Sequence, residues 1–321
     1  MEEQKFNSRT LLEIILISTI IVILTMITSF LPTLATVILP IPIIILYLRR
    51  NISETYICII ITIIALSLAT NPHIAVLFAA IYGLIGIGVG YCVKNNKSAY
   101  RTFITTCILT LLSIIVAIII YTTFIDKKSI IDLVNEIVSS IQVYTRQNLE
   151  YIAANFSTDM SDIIATVTSK EMIVGYIPVV LIMTTFISSY LILIISNKIL
   201  KSLKMKDINV LHFSNFYVSN LIGAFLIAIL AISIIIKSKE IADIKYIITI
   251  TTGLVVVIFL LNGMATISYV LRKKTHLSKI ATIIVLVVTY FMGLGNLYAF
   301  LGLVEMIFDF RKLDPHRIFK K

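Results

Sequence analysis

Ten apolar runs separated by polar intervals account for most of the 321-residue chain. The first extends from Leu11 to Phe30, and the others fall at about 33–48, 53–70, 73–93, 102–124, 173–196, 217–236, 246–270, 280–295 and 297–310. A helix of about 20 apolar residues crosses a bilayer's hydrocarbon core. The pattern therefore predicts an all-α, polytopic integral membrane helix bundle of about ten spans, with about eight as its lower bound. A secretory signal has a shorter apolar core and a small-residue cleavage site. The first run passes instead into Ser29-Phe30-Leu31-Pro32 and reads as a retained span.

Residues 280–310 would be about 46 Å long as one straight helix, against a hydrocarbon core of about 30 Å. A break at Gly293-Leu294-Gly295-Asn296 resolves the excess by making two short crossings or a re-entrant pair. The interval 125–172 reads differently. Ile130, Val134, Ile137, Ile141 and Tyr144 recur at three- and four-residue steps, and Ile152, Phe156, Met160, Ile163 and Val167 continue a similar pattern. Such spacing lines one helix face, while Asp126, Asp132, Glu136, Glu150, Asp159, Asp162 and Glu171 supply a solvated side. This segment is either a lid over an extracytoplasmic opening or a helical hairpin on the membrane surface or bundle. The chain thus parses into a five-span bundle (1–124), an extracytoplasmic amphipathic segment (125–172), a C-terminal membrane bundle (173–310) and a basic cytoplasmic tail (311–321).

Composition excludes the water-soluble alternative. Hydrophobic residues make up 59% and charged residues 14%, with a mean hydropathy of +1.02, against roughly 45–50% and about 25% in soluble domains. Charge supplies an orientation. With both termini cytoplasmic, 20 of the 27 Lys and Arg fall inside, among them Arg49, Arg50, Lys94, Lys97, Arg101, Lys201, Lys206 and Arg272. The remaining 7, including Lys127, Lys128 and Lys170, fall outside. This is the asymmetry of a bacterial inner-membrane protein. Tyr47, Tyr91, Tyr100, Tyr121 and Tyr269 sit near proposed span ends, where an amphipathic ring prefers the headgroup zone. The net charge of +10 therefore follows from topology and points to no nucleic-acid partner. Cys58, Cys92 and Cys107 form no CxxC, and His73, His212, His276 and His316 stand alone. No disulfide framework, metal or cofactor is indicated.

No HExxH, GxSxG or P-loop pattern occurs, so the expected protein is not an enzyme. Gly86 and Gly90, in a row with Ala79 and Gly83, form the small-residue spacing that lets helices approach in lipid. Pro32, Pro40 and Pro42 interrupt the first hairpin, and Gly293, Gly295 and Gly302 loosen the last. Interrupted segments near both chain ends either mark a transporter's cavity or are tight turns. Glu305 lies inside the last apolar run, with Asp309 one turn on and Arg311 at the cytoplasmic edge. A charge at the bilayer centre costs about 2.5–3.5 kcal/mol even on insertion scales, so Glu305 should face the bundle interior, a cavity or a partner. Asn262, Asn296 and Asn71 are the polar residues placed to share such a cavity, or to bond helix to helix.

Phe300-Leu301-Gly302-Leu303-Val304-Glu305-Met306-Ile307-Phe308-Asp309-Phe310-Arg311-Lys312 resembles the closing signature of the YybS-like family of bacterial membrane proteins. Leu261-Asn262-Gly263-Met264-Ala265 and His212-Phe213-Ser214-Asn215-Phe216 resemble further features of that family. At the level of fold the family is similar to the substrate-binding subunits of energy-coupling-factor transporters, which dock onto a coupling protein with two ATPases. The resemblance implies a small-molecule site and an ATPase coupling module as partner. Those subunits often carry an Ala-x-x-x-Ala docking face on the first helix, whereas Leu11 to Phe30 contains no alanine. Two functions follow as expectations. One is binding or transport of a small solute at Glu305, Asn262, Asn296 and Asn71, with Asp309, Arg311, Gly86, Gly90, Pro40 and Pro42 as structural residues. The other is a non-transporting scaffold or regulator that engages a cytoplasmic or envelope protein.

Overall fold

The structure, a computed structural model, describes residues 8–28, 32–70, 72–156, 161–237 and 244–313. Helices and connecting turns are the only regular structure among the described residues. In chain order the helices are α1 (Ser8–Thr28), α2 (Pro32–Ile38), α3 (Pro40–Arg49), α4 (Ile52–Ala69), α5 (Pro72–Phe78), α6 (Leu84–Lys94) and α7 (Ala99–Ile120). They continue as α8 (Ile130–Phe156), α9 (Ser161–Val167), α10 (Lys170–Ser202), α11 (Asn220–Lys237), α12 (Ile244–Lys273), α13 (Lys279–Thr289) and α14 (Gly295–Phe308). Two compact units form, one from Met1–Leu133 with Thr184–Val210, the other from Val134–Met183 with Leu211–Lys321.

Among the described residues, seven helical runs are long and apolar enough to cross a bilayer: Ser8–Thr28, Ile52–Ala69, Ala75–Lys94, Ala99–Asp126, Lys170–Ser202, Lys245–Lys273 and Lys279–Phe308. Two apolar helices are shorter, Leu34–Arg49 and Asn220–Ile236. The difference from ten full spans has a physical origin. Leu34–Arg49 reaches only about 24 Å, and within it the chain turns at Leu39 and continues as a helix from Pro40. Segments 280–295 and 297–310 are limbs of one run that breaks at Gly293, where φ is 91° and ψ 7°. This left-handed geometry costs an ordinary L residue roughly 1–2 kcal/mol. The limbs α13 and α14 have 11 and 14 residues, about 17 and 21 Å, so neither crosses a 30 Å core alone.

Small hydroxyl residues are buried on helices whose large aliphatic side chains also face outward. In α7 the buried row is Thr102, Thr106, Thr110 and Ser113, whereas Ile104, Ile108, Leu112, Ile115 and Ile119 face outward. In α4, Thr62 is 0% exposed and Leu68 84%. Small hydroxyl residues suit close helix contact, and threonine satisfies itself by donating one turn back, as Thr106 does to the Thr102 carbonyl at 2.7 Å. Contiguous outward isoleucine stripes of this size require an apolar solvent. The protein is therefore membrane-embedded and contacts the lipid bilayer along these faces.

Within the first unit, α1 and α4 enclose Ile14, Ile17, Ile21, Cys58, Ile59 and Leu66. A Cβ on Gly86 would lie 2.6 Å from Ile43 Cβ and 3.1 Å from the Pro40 carbonyl oxygen, and one on Gly90 2.9 Å from Tyr47 Cβ. The small-residue row of α6 thus seats α3, with Pro40 at the contact. At one end of this unit Glu13 accepts from Arg49 (3.1 Å) and Arg50 (2.8 Å). Lys94 Nζ donates to the Arg50 carbonyl at 2.9 Å, and Lys206 Nζ to the Lys94 carbonyl at 2.9 Å. Three intervals that the sequence assigns to one membrane side therefore meet at one end, beside Glu13 of the first run.

In the second unit, the interval between spans is helical, as α8 and α9, and folds back on itself. Gln142 Nε2 donates to the Thr168 carbonyl at 2.7 Å, and Lys170 Nζ donates to Asn135 Oδ1 at 3.0 Å. At the start of α8, where the chain still belongs to the first unit, Ser129 and Asp132 form a reciprocal cap. Hydrogen bonds from the Ser129 hydroxyl and then its backbone N–H hold the Asp132 carboxyl below its usual range.

Candidate functional site

The second unit buries one full charge pair, and its geometry starts from a tight helix contact. A Cβ on Gly263 would collide with the Tyr298 carbonyl oxygen, and one on Gly302 with the Phe259 carbonyl oxygen. Only glycine at both positions lets the backbones of α12 and α14 touch. Val255 and Phe259 of α12, Met306 of α14 and Val218 pack beside this seam. Leu260, Leu286 and Tyr298 form a second cluster, and Ala299 packs against both.

α14 ends at Phe308 because Asp309 takes a left-handed conformation (φ 45°, ψ 55°), its N–H donating to the Glu305 carbonyl at 2.7 Å. The Asp309 carboxylate then accepts from the Leu313 N–H at 2.8 Å and fixes the reversed chain. The turn carries Arg311 back into the bundle, where its side chain is 1% exposed and that of Glu305 3%. Arg311 Nε donates to Glu305 Oε1 at 2.7 Å, and the Arg311 backbone N–H donates to the same oxygen at 3.2 Å. Arg311 Nη1 donates to the carbonyls of Ser214 (3.0 Å) and Phe216 (2.9 Å), in and just after the 3-10 turn Phe213–Asn215. Nη2 donates to Asn262 Oδ1 at 2.9 Å. Asn262, fully buried on α12, donates through Nδ2 to the Gly302 carbonyl at 2.8 Å and accepts from the Val218 N–H at 3.3 Å.

A guanidinium offers five N–H donors, and these contacts engage four of them. The positive charge also lies where α14's carbonyls are unpaired, which the helix dipole favours. One acceptor is left over: Glu305 Oε2 is buried and has no partner among the described residues. The arrangement neutralises a charge pair and ties three chain segments together.

Two of the four predicted binding residues, Glu305 and Asn262, meet here through Arg311. Asn296 is exposed at the start of α14, about 13 Å along the axis from Glu305. Asn71 lies outside the described residues. Sequence reasoning did not find Gly263 and Gly302 as a pair, since they stand on different helices. It also missed Glu13, which sits inside the first apolar run but accepts from two arginines. Its signal was the adjacent pair Arg49-Arg50, more charge than one loop needs. The described residues also contain a cleft of about 300 Å³ in the first unit, lined by Tyr91, Cys92, Lys97, Tyr100, Arg101, Ile104 and Thr105. None of the predicted binding residues lines it.

No curated protein and no solved structure matches the chain. A family described as "Predicted membrane protein (DUF2232)" matches residues 16–306, a stretch that takes in Ser214, Phe216, Asn262, Gly263, Gly302 and Glu305. With the match running along nearly its whole length, and with outward isoleucine faces that demand a bilayer, the chain belongs to the DUF2232 family of membrane proteins.

Proposed function

We propose that the protein is a non-transporting scaffold or regulator of a bacterial cytoplasmic membrane. Both ends lie inside, and basic cytoplasmic loops engage a protein partner. One observation carries this reading: Arg311 closes on Glu305, Asn262 and two backbone carbonyls, so the polar groups a solute would need are engaged by one another. Neither catalysis nor a cofactor enters the proposal. A second reading, binding or movement of a small solute, has the YybS-like resemblance and its similarity to energy-coupling-factor subunits behind it. Its specific support is the unpartnered Glu305 Oε2.

Purification from native membranes in mild detergent, followed by native mass spectrometry, separates the two. The expected result is a protein free of retained solute and of ATPase subunits, with crosslinks to a protein partner concentrated on Lys201, Lys204 and Lys274. A solute retained by the wild type and released by Glu305→Gln would overturn the scaffold reading. So would stoichiometric co-purification of an ATPase coupling module.

A further inference from the structure

The cleft in the first unit lies where α6 ends and α7 begins. Its turn is rigid. Asn96 adopts the left-handed conformation (φ 52°), the Lys97 N–H donates to the Cys92 carbonyl at 2.9 Å, and the Asn96 N–H donates to the Val93 carbonyl at 3.2 Å. This is a Schellman closure. Ser98 then caps α7 by accepting from the Arg101 N–H at 3.3 Å. The turn therefore presents Lys97 and Arg101 in a fixed relation on either side of Tyr100.

Charge at this end is unbalanced. Glu13 is engaged by Arg49 and Arg50, and Asp207 by Lys201. Glu54 caps its own helix by accepting from the Asn51 N–H. Lys94 and Lys206 bond to carbonyls. Neither Lys97 nor Arg101 has an acidic partner among the described residues, and the Lys97 ammonium lies 5.9 Å from the centre of the Tyr91 ring. Below the cations the character changes. Ile104 lines the cleft, and Ile108 and Leu112 continue the outward stripe of α7 into the hydrocarbon. Tyr91 and Tyr100 mark the headgroup level between them.

A cationic mouth above an apolar track matches an amphiphile with an anionic head. We infer that this cleft binds an anionic phospholipid, its phosphate held by Lys97 and Arg101 and one acyl chain lying along Ile104 and Ile108. The track distinguishes this occupant from a soluble anion, which would gain nothing from isoleucine. The site does not depend on the proposed scaffold role.

The test offers the detergent-purified full-length protein equal amounts of phosphatidylglycerol and phosphatidylcholine and counts bound lipids by native mass spectrometry. Wild type should retain phosphatidylglycerol at least about tenfold over phosphatidylcholine. Lys97→Gln with Arg101→Gln should cut that retention about 25-fold, on the order of fivefold for each cation at an anionic surface. Lys97→Arg with Arg101→Lys should restore it at an unchanged melting temperature, which separates lost binding from lost folding. Lys274→Gln with Lys279→Gln, an equal loss of charge elsewhere, should leave retention intact. The inference fails if the Gln pair retains the lipid, or if the distant pair loses it equally. It also fails if inorganic phosphate displaces the lipid at equal concentration, which would mark a site for soluble anions.

Discussion

Arg311 shows how one side chain can organise a membrane bundle. Removing a guanidinium from water carries an effective penalty of several kcal/mol, so its burial at 1% exposure needs a full set of acceptors. Glu305, Asn262 and the Ser214 and Phe216 carbonyls are that set. Replacing Arg311 by Met would leave Glu305 charged and buried with only a backbone N–H on Oε1, and would leave the Ser214 and Phe216 carbonyls without their donor. Breaking a buried pair from one side typically costs about 3–5 kcal/mol, while exchanging both members for apolar groups is often near neutral. Arg311→Met alone should therefore destabilise the protein by about 3 kcal/mol or more. Adding Glu305→Leu should recover part of that loss, the carbonyls of Ser214 and Phe216 accounting for the remainder. Reversible unfolding of the purified protein in mixed micelles measures both. Equal stabilities for the single and double variants would show that the ion pair contributes nothing.

At the scale of helices, the seam between α12 and α14 is a backbone contact, and that predicts a contrast between two glycines. A Cβ on Gly302 would meet the Phe259 carbonyl, with the Phe259 carbonyl carbon 2.8 Å away, and a backbone cannot rotate aside. A Cβ on Gly88 would meet only the end of the Leu109 side chain, which can adopt another rotamer. Gly302→Ala should thus cost at least about 1–3 kcal/mol and loosen the Arg311 cluster. Gly88→Ala should be close to neutral, and similar unfolding curves for the two would refute the seam. What was legible in the sequence follows the same division. Apolar runs announce helices because a bilayer admits little else. Gly86 and Gly90 announce a contact because both lie on one helix at a fixed spacing, and Gly293 announces a break. The shortness of Leu34–Arg49 was legible as the 16-residue run 33–48, which follows Pro32 and holds Pro40 and Pro42. The partners of Arg311, by contrast, were hidden. Two of them are backbone carbonyls, which have no side-chain signature, and Gly263 and Gly302 pair only once α12 and α14 are adjacent.

For the molecule as a whole, the outward isoleucine faces establish the solvent, and the distribution of Lys and Arg predicts an orientation within it. Helix α7 and the turn after it, Ala99–Asp126, form a 28-residue apolar run, about 42 Å long and sufficient to span the core even when tilted. Its two flanks differ. Lys94 and Lys97 stand before it and Arg101 in its first turn, and Lys94 and Lys206 join this end to the ends of other helices. After it, the Lys128 ammonium is paired with the Asp126 carboxylate at 3.2 Å, which halves the net positive charge contributed by Lys127 and Lys128. Lys and Arg in short loops are retained on the cytoplasmic side, so the α6–α7 turn should be inside and the α7–α8 turn outside. Single cysteines at Asn95 and Lys128 test this, in a background where Cys58, Cys92 and Cys107 are replaced by alanine. In intact cells a membrane-impermeant maleimide should label Lys128→Cys, while Asn95→Cys should react only after permeabilisation. The reverse pattern would turn the protein over in the membrane. It would place the basic end outside, out of reach of a cytoplasmic partner, and the proposed scaffold role would fall with it.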